Sequence, residues 1–266
     1  RIRIPKIENI RSDGAIRSFH KENLTVLHEF LHSEECSNLS LEPICLNERI
    51  DRKFAGARQM SEIEYFYSAH SAFAYLGSKR FMEIAKAGDR TITHKPYDLA
   101  RGIAGVGSTP TRDRPKNHRA YYFRREIDRW AEHRNAPVMD GYPKHHWNDM
   151  TLANGMLIAA ALQNANIDPL AHAMLEGHWL NNANLANTET LEALATSVNV
   201  DPLPLLDAAL TSEVAEIYER NTQEAIKRSV FGSPTYFVDG DMFYGQDHLE
   251  MVERALRQPY KESNYV

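Results

Sequence analysis

The chain has 266 residues, 42% hydrophobic and 25% charged, with a formal net charge of -5. That balance suits a soluble globular protein with room for one large core or two lobes, and it argues against general affinity for nucleic acid or an anionic membrane. Only two cysteines, Cys36 and Cys45, are present. They support neither a disulfide scaffold nor a thiolate zinc site, and as plain thiols they point to a reducing compartment, the cytoplasm. No apolar run approaches transmembrane length, and the first residues lack the apolar core of a signal peptide. The chain opens at Arg1 rather than Met, the pattern of a fragment or a processed product.

Residues 1–60 read as an extension. Arg1 to Arg17 is basic and irregular, Lys21 to Glu35 places Leu24, Leu27, Phe30 and Leu31 at helical spacing, and Cys36 to Met60 has no sustained period. From Ser61 the pattern sharpens. Ile63 to Tyr67 is expected to be a strand and Ser68-Ala69-His70-Ser71 a turn. Ala72 to Ala87 follows as a helix stopped by Gly88. Thr91 to Tyr97 reads as a second strand and Asp98 to Ala104 as a short helix. A β-α-β start favours parallel strands joined by a right-handed crossover.

A loop over 105–116 then leads to a basic amphipathic helix, Asn117 to Arg134, whose charges read as a solvated face. The loop 135–148 carries His145 and His146. A run of helices follows: Asp149 to Asn166, one opened by Asp168-Pro169, Thr188 to Ser197, a short one from Asp201-Pro202, and Ser212 to Arg228. Thr235 to Val238 is a β-branched and aromatic strand. Asp239-Gly240 is a type I′ hairpin signal, and Met242 to Tyr244 returns as the partner strand. Pro234 sits where a proline is tolerated, at the strand's start. Asp247 with Glu250 reads as a capping box for a last helix whose apolar face is Leu249, Val252 and Leu256.

A β-α-β unit, a run of helices and a β-β-α unit around one mixed sheet make an α/β thioredoxin-like arrangement with a large all-helical insertion. The expected organisation is an N-terminal extension over 1–60, a thioredoxin-like domain over 61–110 and 222–260, and a helical insertion over 111–221. In this arrangement Ser71, opening the first helix, lies near Ser233-Pro234 at one end of the sheet. A helix N-terminus favours an anion, and a thiolate over a thiol. The residues Ser71-Ala72-Phe73-Ala74 contain no sulfur, so disulfide cycling is excluded there. What remains is a site able to hold another molecule's thiolate.

Other candidates are weaker. His145-His146 has no suitably spaced third ligand, so no metal is expected. His172 and His178 read as surface or satisfied histidines. Ser71 lacks a histidine and carboxylate at nucleophile-elbow spacing, which argues against a serine hydrolase. The glycines from Gly102 to Gly107 lack the lysine of a phosphate loop.

Ser-Ala-Phe-Ala-Tyr-Leu at 71–76, after Glu64-Tyr65-Phe66-Tyr67, resembles the active-site segment of the DsbA-like 2-hydroxychromene-2-carboxylate isomerases and kappa-class glutathione transferases. Val230-Phe231-Gly232-Ser233-Pro234-Thr235, followed by Phe243-Tyr244-Gly245-Gln246-Asp247, is similar to their second and more specific signature. Arg112-Asp113, Tyr121 and Asp128-Arg129-Trp130 also fit, so the resemblance runs from Glu62 to Leu256. The sequence departs from the family at Ala72, where proline usually follows the serine, and at His70 before it.

The resemblance implies glutathione as cofactor, with Ser71 stabilising its thiolate. Ser233, before a cis Pro234, would pair with the cysteinyl backbone, while Gln246 and Asp247 would hold the γ-glutamyl end. Arg112 and Lys116 are candidates for anchoring a substrate carboxylate. The implied activity is isomerisation of a small carboxylate derived from an aromatic ring, in aromatic-compound catabolism, by a homodimer. Permanent conjugation by a kappa-type transferase and a non-catalytic thioredoxin-fold binding protein are the alternatives.

Overall fold

A computed structural model describes residues 62–261. Cys36, Cys45 and the extension over 1–60 lie outside them. The sheet has four strands, β1 Glu62–Tyr67, β2 Thr91–Pro96, β3 Thr235–Val238 and β4 Asp241–Tyr244, in the order β2-β1-β3-β4. β1 runs parallel to β2 and antiparallel to β3, and β3 pairs antiparallel with β4. The crossover from β1 to β2 is the helix α1, Ala72–Ala87. This is the expected mixed sheet, and its β3–β4 turn is the expected one. Asp239 and Gly240 have φ of 50° and 90°, the paired positive values that a type I′ turn needs.

Period-two alternation decides what each sheet face buries. Ile63, Tyr65 and Tyr67 point into the larger core, where they meet α1 residues such as Leu76, Phe81 and Ile84. Phe66 points the other way and joins Tyr97, Ala225, Val230 and Phe237 in a smaller cluster. Glu64 shares that second face. Arg228 pairs with it at 2.7 Å and lies 3.6 Å from the Phe237 ring centroid, so the charged layer also covers apolar surface.

Between β2 and β3 the chain is helical: α2 Leu99–Gly105, α3 Lys116–Ala120, α4 Glu126–Arg134, α5 Thr151–Leu162, α6 Ile167–Asn181, α7 Thr188–Ser197, α8 Leu203–Ala208 and α9 Ser212–Lys227. α5 packs on β2 and on α6, α6 packs on α1, and α9 packs on α2 and β2. The last helix, α10 Leu249–Arg257, packs on α1 and β3 with Leu249 and Val252 fully buried. No helix among the described residues is long and apolar enough to cross a membrane.

Several local expectations change. The helix expected over Asn117 to Arg134 is broken by a π turn at Tyr121–Arg125. Such a turn shifts the following side chains around the axis, and here Tyr122 and Phe123 pack on Phe73 of α1. The helix expected to open at Asp168 opens after Asn166 instead, and Asp168 accepts a 2.8 Å bond with His94. The residue with positive φ after α1 is Asp89 (φ 53°), while Gly88 stays at φ -85°.

The capping box is absent. α10 begins after a 3-10 turn over Gln246–His248, and His248 occupies its N-cap without a side-chain capping bond. Glu250 is engaged elsewhere, 2.7 Å from Arg134. Of the two histidines expected to be surface or satisfied, His178 is fully buried with both ring nitrogens partnered. His172 is half-buried, its Nδ1 2.6 Å from Ser78 Oγ and its Nε2 3.7 Å from Glu176.

Candidate active site

β1 ends at Tyr67, and the turn Ser68-Ala69-His70 delivers Ser71 to the start of α1. Ser71 has extended backbone angles, φ -71° and ψ 122°, and its Oγ accepts from the Ala74 amide at 3.3 Å as an N-cap. The same Oγ donates to the Ser233 carbonyl at 3.0 Å. The first two helical amides, of Ala72 and Phe73, have no hydrogen-bond partner among the described residues, as first-turn positions of a helix do not. From the other side, the Ser68 amide donates to Ser233 Oγ at 3.3 Å. The Ser233-Pro234 peptide is cis, and Gly245 donates to the Pro234 carbonyl at 2.9 Å. The fold therefore brings together the two serines that the sequence places 162 positions apart.

Ser71 and Ser233 lie on the wall of a cavity of about 470 Å³ that also takes in Ser68, His70, Asp98, Arg112, Arg114, Tyr122, His146, Trp147, Trp179, Tyr218 and Tyr244. A buried polar network backs it. Asn154 accepts from the Ala69 amide at 2.9 Å and donates to Ser68 Oγ and to the Tyr218 hydroxyl, both at 3.1 Å. Trp179 Nε1 donates to the His70 carbonyl at 2.8 Å. His146 Nδ1 lies 3.1 Å from His178 Nε2, and His178 Nδ1 lies 3.0 Å from the Ala183 carbonyl. Burial keeps these imidazoles neutral, with His70 pushed down to about 3, His146 to about 2 and His178 to about 4.

Residues 62–257 match the DSBA-like thioredoxin domain. The chain belongs to that family. Among curated relatives, the 2-hydroxychromene-2-carboxylate isomerase of Pseudomonas sp. (strain C18) is 26% identical over 195 residues, covering 73% of this chain and 89% of that protein. A solved 2-hydroxychromene-2-carboxylate isomerase superposes with a TM-score of 0.60 at 24% identity, covering 74% of this chain and 95% of its own. The cytosolic disulfide reductase DsbM from Pseudomonas aeruginosa, solved with GSH, has a TM-score of 0.53 at 13% identity, covering 74% and 93% of the two chains.

In this DsbA-like chain the other expected site residues fall in different places. Arg112 is on the cavity wall. Its guanidinium lies 5.3 Å from the Trp147 ring centroid and donates to the Trp147 carbonyl at 3.1 Å. Arg114 lines the wall beside it and donates to the Thr109 carbonyl at 2.9 Å. Neither is ion-paired with a described residue. Lys116 is exposed at the start of α3 and does not reach the wall.

Gln246 is sealed at 1% exposure. Its Oε1 and its backbone carbonyl both accept from Arg134 at 3.0 Å, and its Nε2 is buried without a partner. Asp247 keeps a half-exposed carboxylate, whose one ion-pair partner among the described residues is His248 Nδ1 at 3.5 Å. It is not part of the wall, but its charge reaches Tyr122, which is. Burial raises the Tyr122 hydroxyl pKa, and the charge of Asp247 raises it further.

The sequence reading missed Asn154, Tyr218 and Trp179, and weighed His146 only as a metal ligand. Asn154 carries a usable signal: a polar side chain in the middle of an alanine-rich helix, where burial without a partner would be costly. The others contribute through contacts between distant segments, which no local pattern encodes. Among the described residues, no group of three metal-ligating side chains is arranged to hold an ion.

Proposed function

We propose that this chain is a glutathione-dependent isomerase of the 2-hydroxychromene-2-carboxylate type, acting in the cytoplasm on a small aromatic-derived carboxylate in aromatic-compound catabolism, as a homodimer. One observation carries the reading. The hydroxyl of Ser71 stands at a helix N-terminus, on a cavity wall, against the carbonyl of Ser233, with no sulfur where a disulfide oxidoreductase needs two. The relatives named as isomerases support the reaction class.

The donor set suits glutathione, which brings a thiol, two carboxylates and an ammonium. Glutathione bound here would supply a thiolate nucleophile for reversible addition to an unsaturated carbon. The protein's part is binding and electrostatics. Ser71 exchanges its hydrogen bond from the Ser233 carbonyl to the sulfur, and the free amides at the start of α1 favour the anion. The Ser233 backbone pairs with the cysteinyl backbone. Asp247, with no capping bond to make, takes the α-ammonium, and Gln246 holds the turn before it through Arg134.

Arg112 anchors the substrate carboxylate from a guanidinium already fixed on Trp147. Phe73, Tyr122 and Phe123 give the aromatic ring an apolar face. We take the helical stretch over 111–221 as the insertion that shapes this pocket and residues 61–110 and 222–260 as the thioredoxin-like domain. Turnover of a 2-hydroxychromene-2-carboxylate with and without added glutathione tests the proposal. Isomerisation is expected only when glutathione is present, and a stoichiometric stable adduct would instead indicate a transferase.

A further inference from the structure

The Ala183 carbonyl fixes the protons on two of the histidines beside Ser71, and the Ser68 hydroxyl assigns the third. The Ala69 amide can only donate, so the Asn154 atom it meets is Oδ1, and Nδ2 is the group facing Ser68 Oγ. Ser68 Oγ accepts from Asn154 and has its own proton to give. Among the described residues the acceptor in reach of that proton is His70 Nδ1, 2.9 Å away, and the assignment follows from giving the hydroxyl a partner. His70 therefore carries its single proton on Nε2. The second chain starts at the Ala183 carbonyl, which can only accept, so His178 Nδ1 donates to it. That leaves His178 Nε2 as an acceptor for His146 Nδ1–H. His146 is left with a bare lone pair on Nε2.

Both His70 and His146 line the cavity with Ser71, their ring centroids 5.0 Å apart, while His178 stands behind them. His146 is 7% exposed. The two rings are neutral and in opposite tautomers, so one offers a donor and the other an acceptor.

We propose that His70 and His146 are a specificity-determining pair that reads a hydroxyl group on the ligand: the hydroxyl oxygen accepts from His70 Nε2–H and its proton goes to His146 Nε2. A phenol, an enol or a hemiketal can do both from one oxygen. An ether, ketone or carboxylate oxygen can only accept, and would face the His146 lone pair with nothing to give. The pair rests on the reading of this space as the substrate cavity. It adds a hydroxyl requirement next to Ser71, on a ligand whose carboxylate Arg112 holds. His70 and His146 also pack against each other and Trp179, so the test must separate recognition from support.

Isothermal titration calorimetry on the full chain, without glutathione, compares trans-2-hydroxycinnamate, trans-2-methoxycinnamate and trans-cinnamate. The hydroxylated acid is expected to bind about tenfold more tightly than the other two, the effect of one well-formed neutral hydrogen bond. His146→Phe is expected to bring that ratio close to one, a change that a purely supporting role would not produce. Equal affinities in the unaltered chain, no binding of the hydroxylated acid, or a ratio that survives in His146→Phe would overturn the pair. If His146→Phe does not fold, the hydroxy-to-methoxy ratio of the unaltered chain still decides, because the methyl removes the proton that His146 accepts. Absent glutathione-dependent turnover with this ratio intact would remove the isomerase reading and leave the pair standing.

Discussion

Ser71 gives its hydroxyl proton to the carbonyl of Ser233 across 3.0 Å, joining the start of α1 to the chain two residues before β3. The same oxygen accepts from the Ala74 amide, so Ser71 both caps its helix and closes the site. The two roles separate by substitution. Ser71→Ala removes the cap, costing about 1 kcal/mol, and removes the donor to the anion. Ser71→Gly keeps most of the capping preference and removes the same donor. Both variants are expected to lose turnover by about 100-fold or more, as for a deleted oxyanion donor, while Ser71→Gly melts closer to the unaltered protein. Steady-state kinetics with a melting curve for each variant checks this, and near-normal turnover in Ser71→Gly would rule out Ser71 as the thiolate donor.

Arg112 and Lys116 divide clearly. Arg112 is fixed on the cavity wall by Trp147, and Lys116 is exposed at the start of α3. Arg112→Ala is expected to raise KM for a carboxylate substrate by about 10- to 100-fold, the range for a charged hydrogen bond. Arg112→Lys recovers only part, since a lysine keeps the charge and loses the planar fork stacked on Trp147. Lys116→Ala is expected to leave KM within about twofold. A KM increase of the same size in Lys116→Ala would move the anchor from the wall to the helix start.

The sheet was legible in the sequence because each strand is a short β-branched or aromatic run bounded by a turn residue, and the Asp239-Gly240 turn has a backbone requirement that few residues meet. The placement of Ser71 near Ser233-Pro234 followed from the thioredoxin-like arrangement of the elements. The local structure at Gln246 and Asp247 was less legible. A capping box was the local reading, and Arg134, 112 positions upstream, overrides it by taking Gln246 and Glu250 together. The π turn at Tyr121–Arg125 has the same character, since nothing in Tyr-Tyr-Phe-Arg-Arg marks it apart from an ordinary helix. Tertiary partners settle such points, and window-length patterns do not contain them.

Asp247 is left free by that override. Its carboxylate spends nothing on α10, so Asp247→Asn is expected to leave the melting temperature within about one degree, as for a surface change away from any cap. Glutathione affinity is expected to fall about tenfold or more, because a charged pair to an ammonium is lost. A thermal-shift titration with glutathione reads both quantities in one experiment. Unchanged stabilisation by glutathione in the variant would exclude Asp247 from the ammonium site.

Acid stability follows from the buried imidazoles. Burial lowers His70 to about 3, His146 to about 2 and His178 to about 4, from 6.5, and it lowers His172 as well. A folded-state value below the unfolded one means that the unfolded chain takes up protons first as the pH falls. Their stabilising contribution is therefore complete above pH 6.5 and is lost progressively as the pH drops towards the folded values. Each such histidine contributes a slope of up to about 1.4 kcal/mol per pH unit. Carboxylates act only lower. In Glu64, burial is outweighed by hydrogen bonds from Arg228 and Lys95, and Glu250 is held down by Arg134, so both lose stability below their ordinary value of 4.5. The window from pH 6.5 to about 5.5 thus isolates the histidines. Calorimetric melting across it is expected to show a steep fall in Tm, made shallower by His146→Phe. A flat profile between those limits would mean that the three rings are not held neutral together.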